Sequence, residues 1–463
     1  MPNLRRPMEI GLILFLLAQP ILDILAYFGL SISTVVRSMA MVACVCYILF
    51  YAPAKWHKLT RVYFIVLSTY ATIQFMNNLF IKDPFAFGAE VTYLFKSLYF
   101  LCIFSTYLMA LSFCKGMDGF PKKLFAAMFA NMALIAFVIF IAAFTETGTA
   151  TYRMLALEGQ TGWFFSGNEL SAIMSIGAIL AIGYYFQLQS RTFKGFLLVA
   201  ISLIAWSMLT IGTKVAYGGV LIGLGMGVIA GMIEAAAKRR AANLVLFSGL
   251  FILVLAATPS MPIGNNMDVA IDLMESREQG DGHAPPELES GTALPFQSFL
   301  LNGREAFLAD TYNDYIGASL SQQLLGMGRS GNYSQTGEMN AIEMDFLDWF
   351  FNYGPIGMLL LSLPFALFGG YAVRNIFRFR SLSLPLLFTF TSSAVGLGAA
   401  FSAGHVLSSP AAGTYLAISL SLFMSFTDGR KEVNHGRKAL PGRGRVRHST
   451  VIYNRLQKRK EPH

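Results

Sequence analysis

Side chains of two kinds in this sequence have the types and spacing to do chemistry together. Forked guanidinium donors suit the oxygens of a diphosphate. Arg304, in Asn302-Gly303-Arg304, and Arg329, after Gly326-Met327-Gly328, are such groups in an otherwise acidic stretch. Lys214, in Gly212-Thr213-Lys214, and Arg153 would add positive charge toward the same anion. Carboxylates follow at Glu343, Asp345 and Asp348, ahead of Tyr353-Gly354-Pro355-Ile356-Gly357. A carboxylate partly removed from water beside cations can act as general base toward a hydroxyl, and Glu343 is the candidate for that role. Positions two apart point in different directions, so Glu343 and Asp345 need not work as a pair.

Trp163, Asn168 and Glu169, in Gly162-Trp163-Phe164-Phe165-Ser166-Gly167-Asn168-Glu169, join Asp345 and His405 as candidate contacts for an acceptor or a sugar. Each group also has a blander account. The aromatics would suit an interfacial belt, and Asn168 with Glu169 would suit a helix cap and its first-turn acid. Lys214 at a helix start could simply snorkel to the membrane boundary. Asp23, three residues after Pro20 in an apolar run, is a functional candidate because acids inside membranes are rare, although the sequence names no partner for it.

The elements that position these residues follow from composition. Of the 463 residues 55% are hydrophobic and only 13% charged, against about a quarter charged in soluble domains. Runs of about twenty apolar residues closed by polar segments fit helices that satisfy their own backbone inside a bilayer. The expectation is an all-α polytopic membrane protein of about twelve spans, organised as 1-258 (helices one to nine), 259-345 (a large extracytoplasmic loop), 346-426 (helices ten to twelve) and 427-463 (a basic tail). Loop charge supports this order: with the N-terminus in the cytoplasm, Arg5, Arg6, Lys58, Arg61, Lys122, Lys123, Arg191, Lys194, Arg239, Arg240 and Arg374 fall inside, as the positive-inside rule asks. Both termini are then cytoplasmic and helix one is retained, since its run is long and lacks a small-residue cleavage site. The net charge of +9 thus reflects topology and a tail suited to anionic lipid, not nucleic acid. Cys44, Cys46, Cys102 and Cys114 fall in or at the ends of helices, so neither a disulfide framework nor a metal site is expected.

Within the loop, residues 264 to 295 are acidic and poor in aromatics, which reads as mobile. From Phe296 onward, Leu308, Tyr312, Tyr315, Ile316, Leu320 and Leu324 follow helical spacing, an amphipathic helix able to lie on the membrane over a cavity between the spans. In helix eight Gly219, Gly223, Gly227 and Gly231 recur every four residues and make a smooth face for close helix approach.

Taken in order, several pieces resemble the O-antigen ligase and O-antigen polymerase-like superfamily of bacterial surface-polysaccharide membrane proteins. They are Gly167-Asn168-Glu169-Leu170 opening helix six, Thr213-Lys214 before a Gly-rich helix, Asn302-Gly303-Arg304, Leu325-Gly326-Met327-Gly328, and the Tyr-Gly-x-x-Gly opening of helix ten. The resemblance covers roughly residues 160 to 370. It implies a GT-C-like, membrane-embedded glycosyltransferase of the bacterial cytoplasmic membrane. Such an enzyme moves or polymerises a glycan from an undecaprenyl-diphosphate-linked donor to a hydroxyl of a polysaccharide or lipid acceptor, without metal or other cofactor. It also implies that other polysaccharide-assembly proteins are partners, together with membrane lipid. Two departures stand out. The family often has Ser-Arg-Gly where this chain has Thr213-Lys214-Val215, and often has His-Asn where it has Glu343-Met344. The expected site is therefore Arg304, Arg329, Lys214 and Arg153 on the diphosphate, with Glu343 and Arg304 as the catalytic pair. Polymerase and ligase share this donor chemistry and differ only in acceptor. The alternatives are a transporter or flippase of lipid-linked oligosaccharide, which should carry more ionisable groups deep in its helices, and a scaffold that acts through its basic tail.

Overall fold

The computed structural model describes residues 2–51, 54–112, 119–152, 157–278, 305–329, 331–332, 342–376 and 383–438. Arg153, Arg304 and the tail beyond 438 lie outside the described residues. Among those described, twelve helices are long and apolar enough to cross a bilayer, the number that hydropathy and loop charge require. They are α1 Pro2–Tyr27, α2 Ile32–Cys46 with a π-turn Tyr47–Tyr51, α3 Ala54–Ile81, α4 Phe87–Ser112, α5 Phe120–Phe144, α6 Gly167–Gln187, α7 Arg191–Ile211, α8 Lys214–Lys238 and α9 Ala242–Ala257. After the large loop come α13 Asp345–Ile376, α14 Leu384–Ser402 and α15 Pro410–Lys438. A two-stranded hairpin, β1 Thr149–Ala150 with β2 Gln160–Gly162, sits between α5 and α6.

Helices α6 and α15 form the centre, each with 83% of its membrane window buried, whereas α2 and α9 lie at the rim with 11% and 17%. Small and hydroxyl side chains let the central helices approach, as they must where lipid supplies no hydrophobic drive for association. Ser392 donates to the Ile176 carbonyl at 2.8 Å, and Asn131 donates to the Leu16 carbonyl at 2.7 Å and to the Tyr415 hydroxyl at 2.9 Å. The glycine stripe of α8 does what its spacing suggests, but for two neighbours. Gly219 and Gly223 lie against α6, and Gly227 and Gly231 against α9.

The large loop departs from expectation in two places. Its acidic front does not begin as a mobile segment: Pro262–Glu278 is a helix, α10, and the rest of that stretch, 279–295, lies outside the described residues. Asn266 pins it, donating to the carbonyls of Glu158 at 2.6 Å and Gly212 at 2.9 Å while accepting from the Glu158 N–H at 2.7 Å. A side chain that satisfies three backbone groups at least partly shielded from water fixes a helix that composition alone reads as loose. The rear periodicity is not one helix but two, α11 Glu305–Gly317 and α12 Leu320–Leu325, because the Ser319 hydroxyl caps the second by accepting from Gln322. Leu308 and Tyr315 pack inward on Met327, Ile342, Met344 and Phe351.

α13 is interrupted. Gly354 has φ 61° and ψ 177°, outside the helical region, and Pro355 has no N–H to donate. A Cβ at Gly354 would lie 2.4 Å from the Leu324 carbonyl oxygen. Gly354→Ala should therefore lower the thermal unfolding midpoint of the purified protein, with a backbone cost alone of about 1–3 kcal/mol. Gly369→Ala on the same helix, where a Cβ meets nothing within 4 Å, should leave the midpoint unchanged.

Candidate active site

The break in α13 builds the site. With Pro355 unable to donate and Gly354 out of the helix, the carbonyls of Phe351 and Asn352 need partners from elsewhere. The Met327 N–H donates to Phe351 at 2.9 Å and the Gly328 N–H to Asn352 at 3.0 Å. α3 supplies the rest along one face: Gln74 donates to the Asn352 carbonyl at 3.0 Å, Asn78 to the Gly326 carbonyl at 3.0 Å, and Tyr70 shares its hydroxyl proton between the carbonyls of Leu325 and Tyr353. Tyr70, Gln74, Asn78 and Lys82 are all buried and recur every four residues, so the side chains of one helical stripe hold both the Gly-Met-Gly segment and the break in α13.

On one side of this frame lies an acid-base pair. The His405 ring nitrogen Nε2 stands 3.5 Å from Glu343 Oε1, and both side chains are nearly half exposed. Both residues have left-handed backbone, φ 61° at Glu343 and φ 56° at His405. Two neighbouring non-glycine residues in that region are strained, and the surroundings must impose it. Asp345 does so. It is 1% exposed, and its carboxylate accepts from the N–H groups of Val406, Leu407 and Ser408 at 2.7, 2.8 and 3.3 Å and from the Ser408 hydroxyl at 2.7 Å. Asp348 likewise folds the approach to α13, accepting from the N–H groups of Ile342 and Met344 at 3.2 and 3.1 Å. Hydrogen bonding to Glu343 holds His405 above its ordinary value of 6.5, against the opposite pull of burial, and the charges of Glu343, Asp345 and Glu169 add to the rise.

On the other side is Arg329. Its guanidinium lies over the Tyr93 ring, 5.0 Å from the centroid. Its N–H donates to Glu90 Oε2 at 2.8 Å and its carbonyl accepts from Lys82 Nζ at 3.3 Å. Lys82 and Glu90 pair at 2.5 Å with almost no exposed side-chain surface. Met327, two residues before Arg329, and Met344, next to Glu343, pack in one buried cluster, which sets the cation and the Glu343–His405 pair at the same end of the bundle.

Glu169 extends this site into the bundle. It stands at N3 of α6, its N–H reaching the capping Ser166 hydroxyl at 3.4 Å, while its carboxylate accepts from the Ser409 hydroxyl. It interacts electrostatically with His405 and with Asp23. Asp23 does have a partner, Arg37 of α2, at 2.7 Å, and Arg37 also donates to Gln19 at 3.1 Å. Asn168 is half-buried on the same first turn of α6. Lys214 opens α8 on the exposed side, and its neighbour Thr213 meets the Ser171 hydroxyl at 2.6 Å, which places it beside the first turns of α6. Trp163 belongs to an aromatic collar: it donates to Thr147 at 3.0 Å, and its ring meets Phe28 at 5.4 Å. Arg153 and Arg304 lie outside the described residues. Among the described residues, no group of three or more His, Cys, Asp or Glu is placed to hold a metal ion.

Sequence reasoning passed over Arg37, Lys82, Glu90 and Tyr93. A signal for one of them was present, since polar residues every four positions along a spanning helix mark a face that meets other backbone.

Fold and site together define a multi-pass helical membrane protein with a polar, ionisable site at the loop end of the bundle. The model of the O-antigen ligase like membrane protein family matches residues 8–426. The chain belongs to that family, and so takes part in membrane glycan processing on lipid-linked polysaccharide. No curated protein and no solved structure matches it.

Asp345 is the keystone of the His405 turn. Asp345→Asn places an amide NH2 among backbone donors and should cost about 1–3 kcal/mol in stability. Hydrogen exchange of a peptide spanning 404–409 should accelerate, whereas exchange in α6 should not.

Proposed function

We propose that this chain is an inverting glycosyltransferase. It moves glycan from an undecaprenyl-diphosphate-linked donor to an acceptor hydroxyl at the outer face of the bacterial cytoplasmic membrane. The observation that carries this reading is the Glu343–His405 pair, held on strained backbone at 3.5 Å, at the same end of the bundle as an arginine pre-set on the Tyr93 ring.

Within the pair the proton goes to His405. A general base works best when its pKa lies near the working pH. A histidine raised above 6.5 meets that condition better than an ordinary carboxylate. Glu343 then orients the ring through Nε2 and stabilises the imidazolium, which leaves Nδ1 to face the acceptor. The acceptor oxygen attacks the anomeric carbon as its proton passes to His405. The bond from that carbon to the diphosphate oxygen breaks, and the electron pair leaves with the diphosphate. Arg329 neutralises the charge that develops, and preorganised charge of this kind is usually the larger catalytic effect. Lys214, Arg304 and Arg153 are assigned to the same anion by residue type and sequence position. Glu169 and Asn168 are assigned to the acceptor or sugar, whereas Asp345 acts by positioning the His405 turn. Chain growth and terminal transfer use the same donor half. Single repeat units accumulating on lipid without the protein would indicate a polymerase, and finished polymer on lipid a ligase.

Proteoliposomes supplied with lipid-linked donor and acceptor test the assignment. His405→Gln should slow transfer by roughly 10²–10⁴-fold, the usual worth of a positioned base, and Arg329→Ala should also reduce it strongly. Full activity in both variants would refute the site. The pH profile gives a separate check. Protonated His405 cannot accept a proton, so the rate should fall on the acid side through a pKa above 6.5. Glu343→Gln removes the chief cause of the raised value, so the acid limb of its residual activity should move to lower pH.

A further inference from the structure

We propose that Lys82 and Glu90 are positioning residues for Arg329, a buried ion pair that grips the Arg329 backbone from both sides and so aims its guanidinium at the substrate diphosphate. The inference rests on the reading that Arg329 binds that diphosphate.

A buried ion pair is a poor stabiliser, because the loss of water around two charges offsets most of their attraction. What this pair holds gives a better reason for its presence. Lys82 follows the end of α3 and Glu90 lies in the first turn of α4, and they meet at 2.5 Å. One Glu90 oxygen takes the lysine, and the other accepts the Arg329 N–H at 2.8 Å. The ammonium in turn donates to the Arg329 carbonyl at 3.3 Å. Carboxylate on the N–H and ammonium on the carbonyl is the only polarity that satisfies both ends of the residue. Gly328 makes the approach feasible. Its φ is +74°, and a Cβ there would stand 2.7 Å from Glu90 Oε2 and 3.0 Å from Lys82 Nζ. Three residues after Glu90, Tyr93 carries the guanidinium on its ring, and Tyr93 is itself stacked on Tyr353 at 5.8 Å and 14°. Backbone and side chain of Arg329 are therefore both set where α3 ends and α4 begins. A long, flexible cation is held ready before substrate arrives, which is what preorganisation requires.

Exchanging the two charges separates this role from a merely structural one. The double variant Lys82→Glu with Glu90→Lys keeps a buried pair of opposite charges but presents ammonium to the N–H and carboxylate to the carbonyl. Two readouts on the full-length protein in detergent apply: amide hydrogen exchange of a peptide covering 326–329, and binding of undecaprenyl diphosphate. The swap should speed exchange of the Arg329 amide and weaken binding by roughly tenfold or more, as expected for loss of charge-assisted hydrogen bonds. Adding Arg329→Ala to the swap should then cause little further loss. Gly328→Ala leaves both charges in place and should produce the same two changes, and it decides the question if the swapped protein cannot be purified. Wild-type exchange and wild-type affinity in whichever variant is purified overturn the proposal. If exchange changes as expected but Arg329→Ala itself binds the probe normally, the grip stands and the diphosphate reading of Arg329 fails.

Discussion

A helix broken inside a membrane protein must find partners for the carbonyls it frees, and the rest of this site depends on how that requirement is met. Lipid offers no donors, so each unsatisfied group would cost several kcal/mol. The carbonyls freed by Gly354 and Pro355 are taken by the Met327 and Gly328 amides and by Gln74. That solution draws the rear of the large loop down onto α3 and α13. Arg329, the next residue after Gly328, arrives at the loop end of the bundle because the amides before it are already committed. The start of α13, with Asp345 and Asp348, is fixed by the same frame.

The charges then fall into a division of labour. Asp345 is spent on backbone N–H groups, and Glu90 on Lys82 and Arg329. Glu343 keeps a partly exposed position beside His405. Carboxylates are thus numerous around the site, yet Asp345, Glu90 and Asp23 are engaged by backbone N–H groups or by cations. Asp348 is spent on the N–H groups of Ile342 and Met344, on either side of Glu343. The Asp23–Arg37 pair and Glu169 continue the polar line into the bundle, where an uncompensated charge would be costly.

The spans were legible in the sequence because about twenty apolar residues per helix is a coarse and strong signal, and charge in the short loops checked the count. The close packing of α8 was legible because glycines every four residues admit few other uses. The docking of α10 was hidden: its composition is acidic, and the decisive group is a single asparagine, Asn266. The division between α11 and α12 was hidden because Ile316, Leu320 and Leu324 keep helical spacing across the Ser319 cap. Of the site, Glu343 and Arg329 could be nominated by residue type and neighbours. The proximity of His405 to Glu343 could not, since the two come from different loops that the buried Asp345 and the close approach of Gly404 to the Glu343 carbonyl bring together. Arg37 and the polar stripe of α3 were lost in hydropathy, which averages isolated polar residues into an apolar helix. Which face such a residue takes is settled by packing.

In the proposed reaction a single displacement joins acceptor to glycan, with the Glu343–His405 pair taking the acceptor's proton as the lipid diphosphate departs. The most direct measurement is the anomeric configuration of the linkage formed by the purified protein in proteoliposomes, read by NMR against the configuration of the donor. A new glycosidic bond of inverted configuration is expected. A retained configuration would contradict it, as would donor crossing the bilayer with no new bond formed.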